Sequence, residues 1–96
     1  MQKFLIHREI PGAGKLSTEE LQAISARSVA VLAELNHAGH DIQWVHSFVT
    51  DNGITCVYLA PSEEILREHA MKGPFPIDAV TPVRAMIDPL SAEKPS

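Results

Sequence analysis

Apolar and polar positions alternate with a period of two over Gln2 to Arg8, placing Phe4 and Ile6 on one side and Leu5 and His7 on the other. That period predicts an opening β-strand. The stretch EIPGAGKL, Glu9 to Leu16, ends it with one proline and two glycines. Its spacing fits no phosphate-binding fingerprint, so a shaped turn is expected there rather than a phosphate cradle. The period then changes. Ser17-Thr18-Glu19-Glu20 has the form of a capping box, and Leu21, Ile24, Ser28, Val31 and Leu35 recur at three and four as one buried helical stripe. Gly39 stands where a left-handed residue would end that helix.

The stretch DIQWVHSFVTDNGITCVYLAP, Asp41 to Pro61, reads as two strands folded about Asn52-Gly53, because Asn-Gly is the strongest short hairpin signal. A two-residue turn there pairs Phe48 with Val57, His46 with Leu59, Ser47 with Tyr58 and Val49 with Cys56. One face then carries Ile42, Trp44, His46, Phe48, Val57 and Leu59, and the other carries Val45, Ser47, Val49, Ile54, Cys56, Tyr58 and Ala60. Both faces are apolar. One can take the helices of the same chain, and the other requires a partner or ligand.

Pro61 and the acidic Ser62-Glu63-Glu64 suit a second helix start, Ile65, Leu66, His69 and Ala70 form its stripe, and Gly73-Pro74 closes it. Val80, Val83, Ala85 and Ile87 suggest a last strand, which Pro82 confines to an edge or entry position. The order is β-α-β-β-α-β, a ferredoxin-like α+β sandwich: a four-stranded antiparallel sheet with the first and third strands central and two helices on one face. A single domain is expected over residues 1–88, with 89–96 a loose tail. Taking the first and third strands as parallel, this topology gathers His7, Glu9, Trp44, His46, Tyr58 and Arg84 toward one end of the sheet.

Composition narrows the classes of function. Ninety-six residues of 10.5 kDa suffice for one core without a staple, and the lone Cys56 excludes an internal disulfide framework and favours a reducing compartment. The N-terminal apolar run is three residues long and broken by His7, Arg8 and Glu9, unlike a signal peptide or a membrane span, so a cytoplasmic location is expected. Twelve acidic residues against eight basic ones, with no Lys/Arg cluster, argue against nucleic acid as partner. Small molecules, cations and other protein chains remain, with a homodimer through the open sheet face or edge as the expected assembly.

Candidate chemistry rests on the five histidines, yet no HxH, HxxxH or CxxC spacing occurs. Imidazole with a carboxylate and a phenol can hold a divalent ion or move protons near neutral pH. Each residue also has a plain structural account: His37 and His40 complement a helix C-terminus, His46 and His69 are interior or interface imidazoles, Tyr58 is a core aromatic, and Cys56 is an inert buried thiol. His46 and Tyr58 fall on opposite faces unless a bulge intervenes.

The runs REIPGAG, QWVHSFVTDNGITCVYLAP and EEILREHAMKGPFP together resemble a family of small bacterial domains whose best described representative is a nickel-binding protein. The resemblance spans Phe4 to about Ile87. It implies a dimeric ferredoxin-like fold, nickel or another divalent metal as cofactor, and metal sequestration or homeostasis as the role. His7, Glu9, His46 and His69 are the chemically eligible ligands.

Two main readings compete. In the first, the chain is a non-enzymatic metal-binding homodimer whose affinity falls as imidazoles protonate below about pH 6. In the second it is a cofactor-free small-molecule binder or enzyme, with a pocket between sheet and helices lined by Trp44, Phe48, Phe75 and Ile77, His46 as acid-base group and Tyr58 as orienting donor. A protein-interaction module using the open sheet face is the plainest third possibility.

Overall fold

The computed structural model describes residues 1–72 and 77–92. The first strand, β1 (Gln2–Glu9), leads through a 3-10 turn at Ala13–Lys15 into helix α1 (Thr18–His37). Strands β2 (Gln43–Thr50) and β3 (Gly53–Ala60) form the hairpin, followed by helix α2 (Glu63–Lys72), strand β4 (Ala79–Pro82) and a final 3-10 turn at Pro89–Ala92. The strands stand in the order β2-β3-β1-β4, every neighbouring pair antiparallel. This is the ferredoxin-like arrangement that the element order predicts.

Local signals account for α1. The Ser17 hydroxyl accepts from the Glu20 amide at 3.1 Å and the Glu20 carboxylate accepts from the Ser17 amide at 3.0 Å, so the capping box is complete. At the other end Gly39 adopts φ 96°, which a side chain would oppose. The buried residues of α1 are Ser28, Val31, Leu32 and Leu35, while Leu21 is half-buried and Ile24 is 37% exposed. The expected stripe is therefore tight only over the last half of the helix, from Ser28 onward. Phe4, Ile6, Ile54, Cys56, Tyr58 and Ala60 meet it from the sheet, with Leu66 of α2 completing the core.

Several expectations are corrected. First, β1 runs antiparallel to β3, from Gln2 opposite Ala60 to Glu9 opposite Gly53. The end of β1 carrying His7 and Glu9 thus meets the hairpin tip, whereas Trp44 and Tyr58 lie level with Phe4 near the other end. The proposed gathering of His7, Glu9, Trp44, His46 and Tyr58 at one end does not occur.

Second, the hairpin turns on Asp51-Asn52, so Thr50 pairs with Gly53, Val49 with Ile54, Phe48 with Thr55, Ser47 with Cys56 and His46 with Val57. The reason lies forty residues away. The PGAG loop grips the tip: Ile10 N donates to Asn52 O at 3.1 Å, Gly12 N to Asn52 Oδ1 at 3.1 Å and Gly14 N to Asp51 O at 3.1 Å. Gly53 is then needed in the ladder, because a Cβ there would lie 3.0 Å from Arg8 O and 3.2 Å from His7 Cε1. The shift is two residues, so the faces of residues 46–60 survive it.

Third, an irregularity between Trp44 and His46 places Trp44 opposite Tyr58 and His46 opposite Val57. Such a bulge moves the residues before it to the other face. Trp44 accordingly leaves His46 and Phe48 for the helix side, where its Nε1 donates to Ser47 Oγ at 2.9 Å. Strand β4 is also shorter than expected, ending at Pro82, although Val83 N still donates to Lys3 O at 2.9 Å. Beyond it Met86 and Ile87 are exposed. Phe48, expected in a pocket between sheet and helices, is 59% exposed on the open face instead, because its strand parity sets it opposite to the helix-facing Trp44 after the bulge. The expected helix end at Gly73-Pro74, and Phe75 of the expected pocket, lie outside the described residues.

Candidate functional site

Alternation along β1 sends Phe4, Ile6 and Arg8 into the helix-covered side and Lys3, Leu5, His7 and Glu9 to the open face. His7 sits near the hairpin tip with Nε2 3.1 Å from Glu9 Oε1 and Nδ1 3.3 Å from Thr55 Oγ1. Since the carboxylate only accepts, Nε2 carries the proton, and Nδ1 accepts from the threonine hydroxyl; this tautomer is inferred from the bonding pattern. Asp78 adds a second carboxylate nearby, its Oδ2 accepting from Glu9 N at 2.6 Å. The His7 and Glu9 side chains are 43% and 64% exposed, so both are within reach of solvent species.

His46 shares the open face but stands one strand beyond β3, opposite Val57, with its ring edge-on to Phe48 at 5.0 Å between centroids. Leu5, Val45 and Phe48 are exposed around it. His69 is placed differently. It is fully buried on α2, its Nε2 3.4 Å from Ser28 Oγ and its ring 5.4 Å from that of Tyr58. Burial, and secondarily the positive charge of Arg8, lower its pKa to about 4, with a backbone hydrogen bond to Ser28 acting the other way. His69 therefore stays neutral at physiological pH.

Of the four eligible ligands, the fold brings His7 and Glu9 together, leaves His46 on the same face apart from them, and seats His69 on the opposite side of the sheet. Among the described residues no group of three or more His, Cys, Asp or Glu converges closely enough to hold an ion. The acid-base pair His46 and Tyr58 is likewise divided, because Tyr58 is 2% exposed on the helix side. Its hydroxyl pKa is raised, chiefly by burial, with hydrogen bonds from Ser28 and Arg8 opposing. His40 forms a separate surface contact with Glu68 at 3.6 Å.

Arg8 is the polar group that the pattern of the sequence placed and no motif singled out. It is 5% exposed and its Nη1 donates to Cys56 Sγ at 3.0 Å. The signal was the alternation itself, which puts residue 8 in line with Phe4 and Ile6.

The family model of nickel-responsive proteins like SCO4226 matches residues 4–83. The chain belongs to the SCO4226-like family. The crystal structure of SCO4226 from Streptomyces coelicolor A3(2) superposes with a TM-score of 0.72 over 88% of this chain and 99% of that one, at 15% identity. The similarity at that identity establishes the SCO4226-like fold. No curated protein matches the sequence. Among the described residues no helix of this SCO4226-like chain is long and apolar enough to cross a membrane.

Proposed function

We propose that this protein binds nickel or a similar divalent cation on its open sheet face, with His7 and Glu9 as the resident donors and a second copy completing the site. The observation that carries this reading is the 3.1 Å pairing of an imidazole with a carboxylate, both solvent-accessible, in a chain of a nickel-responsive family. Imidazole nitrogen and carboxylate oxygen suit nickel, but two donors leave most of its coordination positions unfilled. One chain thus fits the ion only in part. Exposed Leu5, Val45 and Phe48 surround His46 on the same face, and burying them against a two-fold-related copy would carry further imidazole to the site. Metal sequestration or homeostasis is the corresponding role, and the cytoplasm the corresponding location.

Occupation of His7 Nε2 requires the proton that faces Glu9 to leave that nitrogen, with Nδ1 then able to donate to Thr55 Oγ1 in the other tautomer. The test is calorimetric titration of chelator-stripped protein with nickel and with zinc, accompanied by sedimentation. Saturable, stoichiometric binding that is lost in His7→Ala and Glu9→Gln, and retained in His40→Ala, is expected. Weak binding without a defined stoichiometry, or binding indifferent to His7→Ala, would overturn the proposal.

A further inference from the structure

A cavity of about 330 Å³ lies on the helix side of the sheet, beneath the first turns of α1 and over β2 and β3. It is present because α1 closes on the sheet only from Ser28 onward. Before that point Ala23 and Ser25 are too small to fill the gap, and Leu21 and Ile24 border it without being fully buried. Trp44, turned to this side by the bulge, forms part of the opposite wall. An apolar body in this space would complete the burial that the helical stripe begins.

Charge selects among apolar bodies. Arg8 lines the cavity with its guanidinium against Cys56 Sγ, a soft, weak acceptor, and against the Tyr58 hydroxyl, which is neutral. Arg27 adds a second positive charge, and among the described residues none that lines the cavity is acidic. A guanidinium presents five donors in a fixed fork that matches a carboxylate edge, and such bonds strengthen where water is excluded. A dianion such as inorganic phosphate suits these walls poorly, because the largely hydrocarbon lining cannot replace its hydration. The volume is at the small end of the roughly 300–1,000 Å³ typical of ligand sites.

From this geometry we infer that the cavity is a binding site for a small monocarboxylate with an aromatic or short aliphatic body, its carboxylate directed to Arg8. The site is on the opposite side of the sheet from His7 and Glu9 and does not depend on metal.

The chain's single tryptophan borders the cavity, so intrinsic fluorescence reports its occupation. Benzoate and octanoate would be titrated beside benzyl alcohol and octanol, which keep the apolar body and lose the charge. Saturable responses are expected for the acids, with the alcohols weaker by about tenfold or more, the range of one charge-assisted hydrogen bond. Arg8→Met should remove that preference while alcohol binding persists. Ser25→Phe, filling the cavity, should abolish both responses with circular dichroism unchanged. Equal affinity for acid and alcohol in the natural chain, or no saturable response to either acid at millimolar concentration, would overturn the inference without use of any variant.

Discussion

Arg8 Nη1 donates to Cys56 Sγ across 3.0 Å, joining β1 to β3 beneath the helices. The bond places a permanent positive charge inside a side of the sheet otherwise built from Phe4, Ile6 and Ile54. Its reach extends through Tyr58 and Ser28 to His69, so four polar groups of β1, β3, α1 and α2 share one buried environment. Burial of this kind requires mutual satisfaction, because each group left without a partner would cost on the order of 1–3 kcal/mol.

One consequence is electrostatic. Arg8 contributes to the lowered pKa of His69, second to burial. Arg8→Met removes that charge with its apolar stem replaced, and should raise the His69 pKa from about 4 toward its ordinary 6.5 without reaching it. Imidazole shifts followed by NMR against pH measure this directly. An unchanged titration would mean that burial alone holds His69 neutral.

His69 also makes stability depend on pH. Its folded pKa is about 4 against 6.5 for an ordinary imidazole, so as pH falls the unfolded chain takes up the proton first. The contribution is fully present above about pH 6.5, declines between there and pH 4, and levels off below. Roughly 2.5 pH units between the two values correspond to about 3 kcal/mol. Urea midpoints at pH 7.5 and 4.5 test it: the natural chain should lose most of that difference, and His69→Phe should lose much less. Equal losses in the two proteins would assign the pH dependence to other groups.

What could be read in advance divides by range. The capping box and the Gly39 stop depend on residues within one turn of each other, and both stand as the sequence implies. The strand order follows from the element order. The hairpin register does not, because Asn52-Gly53 satisfies the local rule while the loop at residues 10–14 selects a turn one position back, which shifts the pairing by two residues. Trp44 changes face through a bulge that no turn residue marks. The proposed ligands scatter for a related reason: periodicity sorts residues onto two faces but does not say which face the helices cover, and distances along and across the sheet depend on strand direction. Arg8 was legible as a residue in line with Phe4 and Ile6, though its acceptor Cys56 was not.

Gly53 links the fold to the proposed site. A Cβ would press on Arg8 O at 3.0 Å and His7 Cε1 at 3.2 Å, and the backbone atom has nowhere to retreat within the ladder. Gly53→Ala should therefore destabilise the chain by about 1–3 kcal/mol, as overpacking does, and swing the His7 ring away from Glu9. Chemical denaturation gives the first quantity, and nickel calorimetry the second, with affinity reduced well beyond any loss of folded protein. Full retention of both would show that the sheet opens at this point to admit a side chain.

The open face provides the sharpest separation between a monomeric and a dimeric site. Phe48 is 59% exposed, and its aromatic neighbour is His46, so in a single chain its ring shields little. Phe48→Glu should leave the monomer fold and its thermal transition close to those of the natural chain, since surface substitutions away from packed features usually change stability by less than about 0.5 kcal/mol. Placed at a two-fold contact, the same change buries two carboxylates near one another and should dissociate the dimer. Sedimentation at micromolar concentration, with and without nickel, then distinguishes the cases. If the natural chain is dimeric and Phe48→Glu is monomeric with weakened nickel binding, the second copy completes the site. If the natural chain sediments as a monomer while still binding nickel tightly, His7 and Glu9 must complete their coordination within one chain or with water, and the shared-site reading falls.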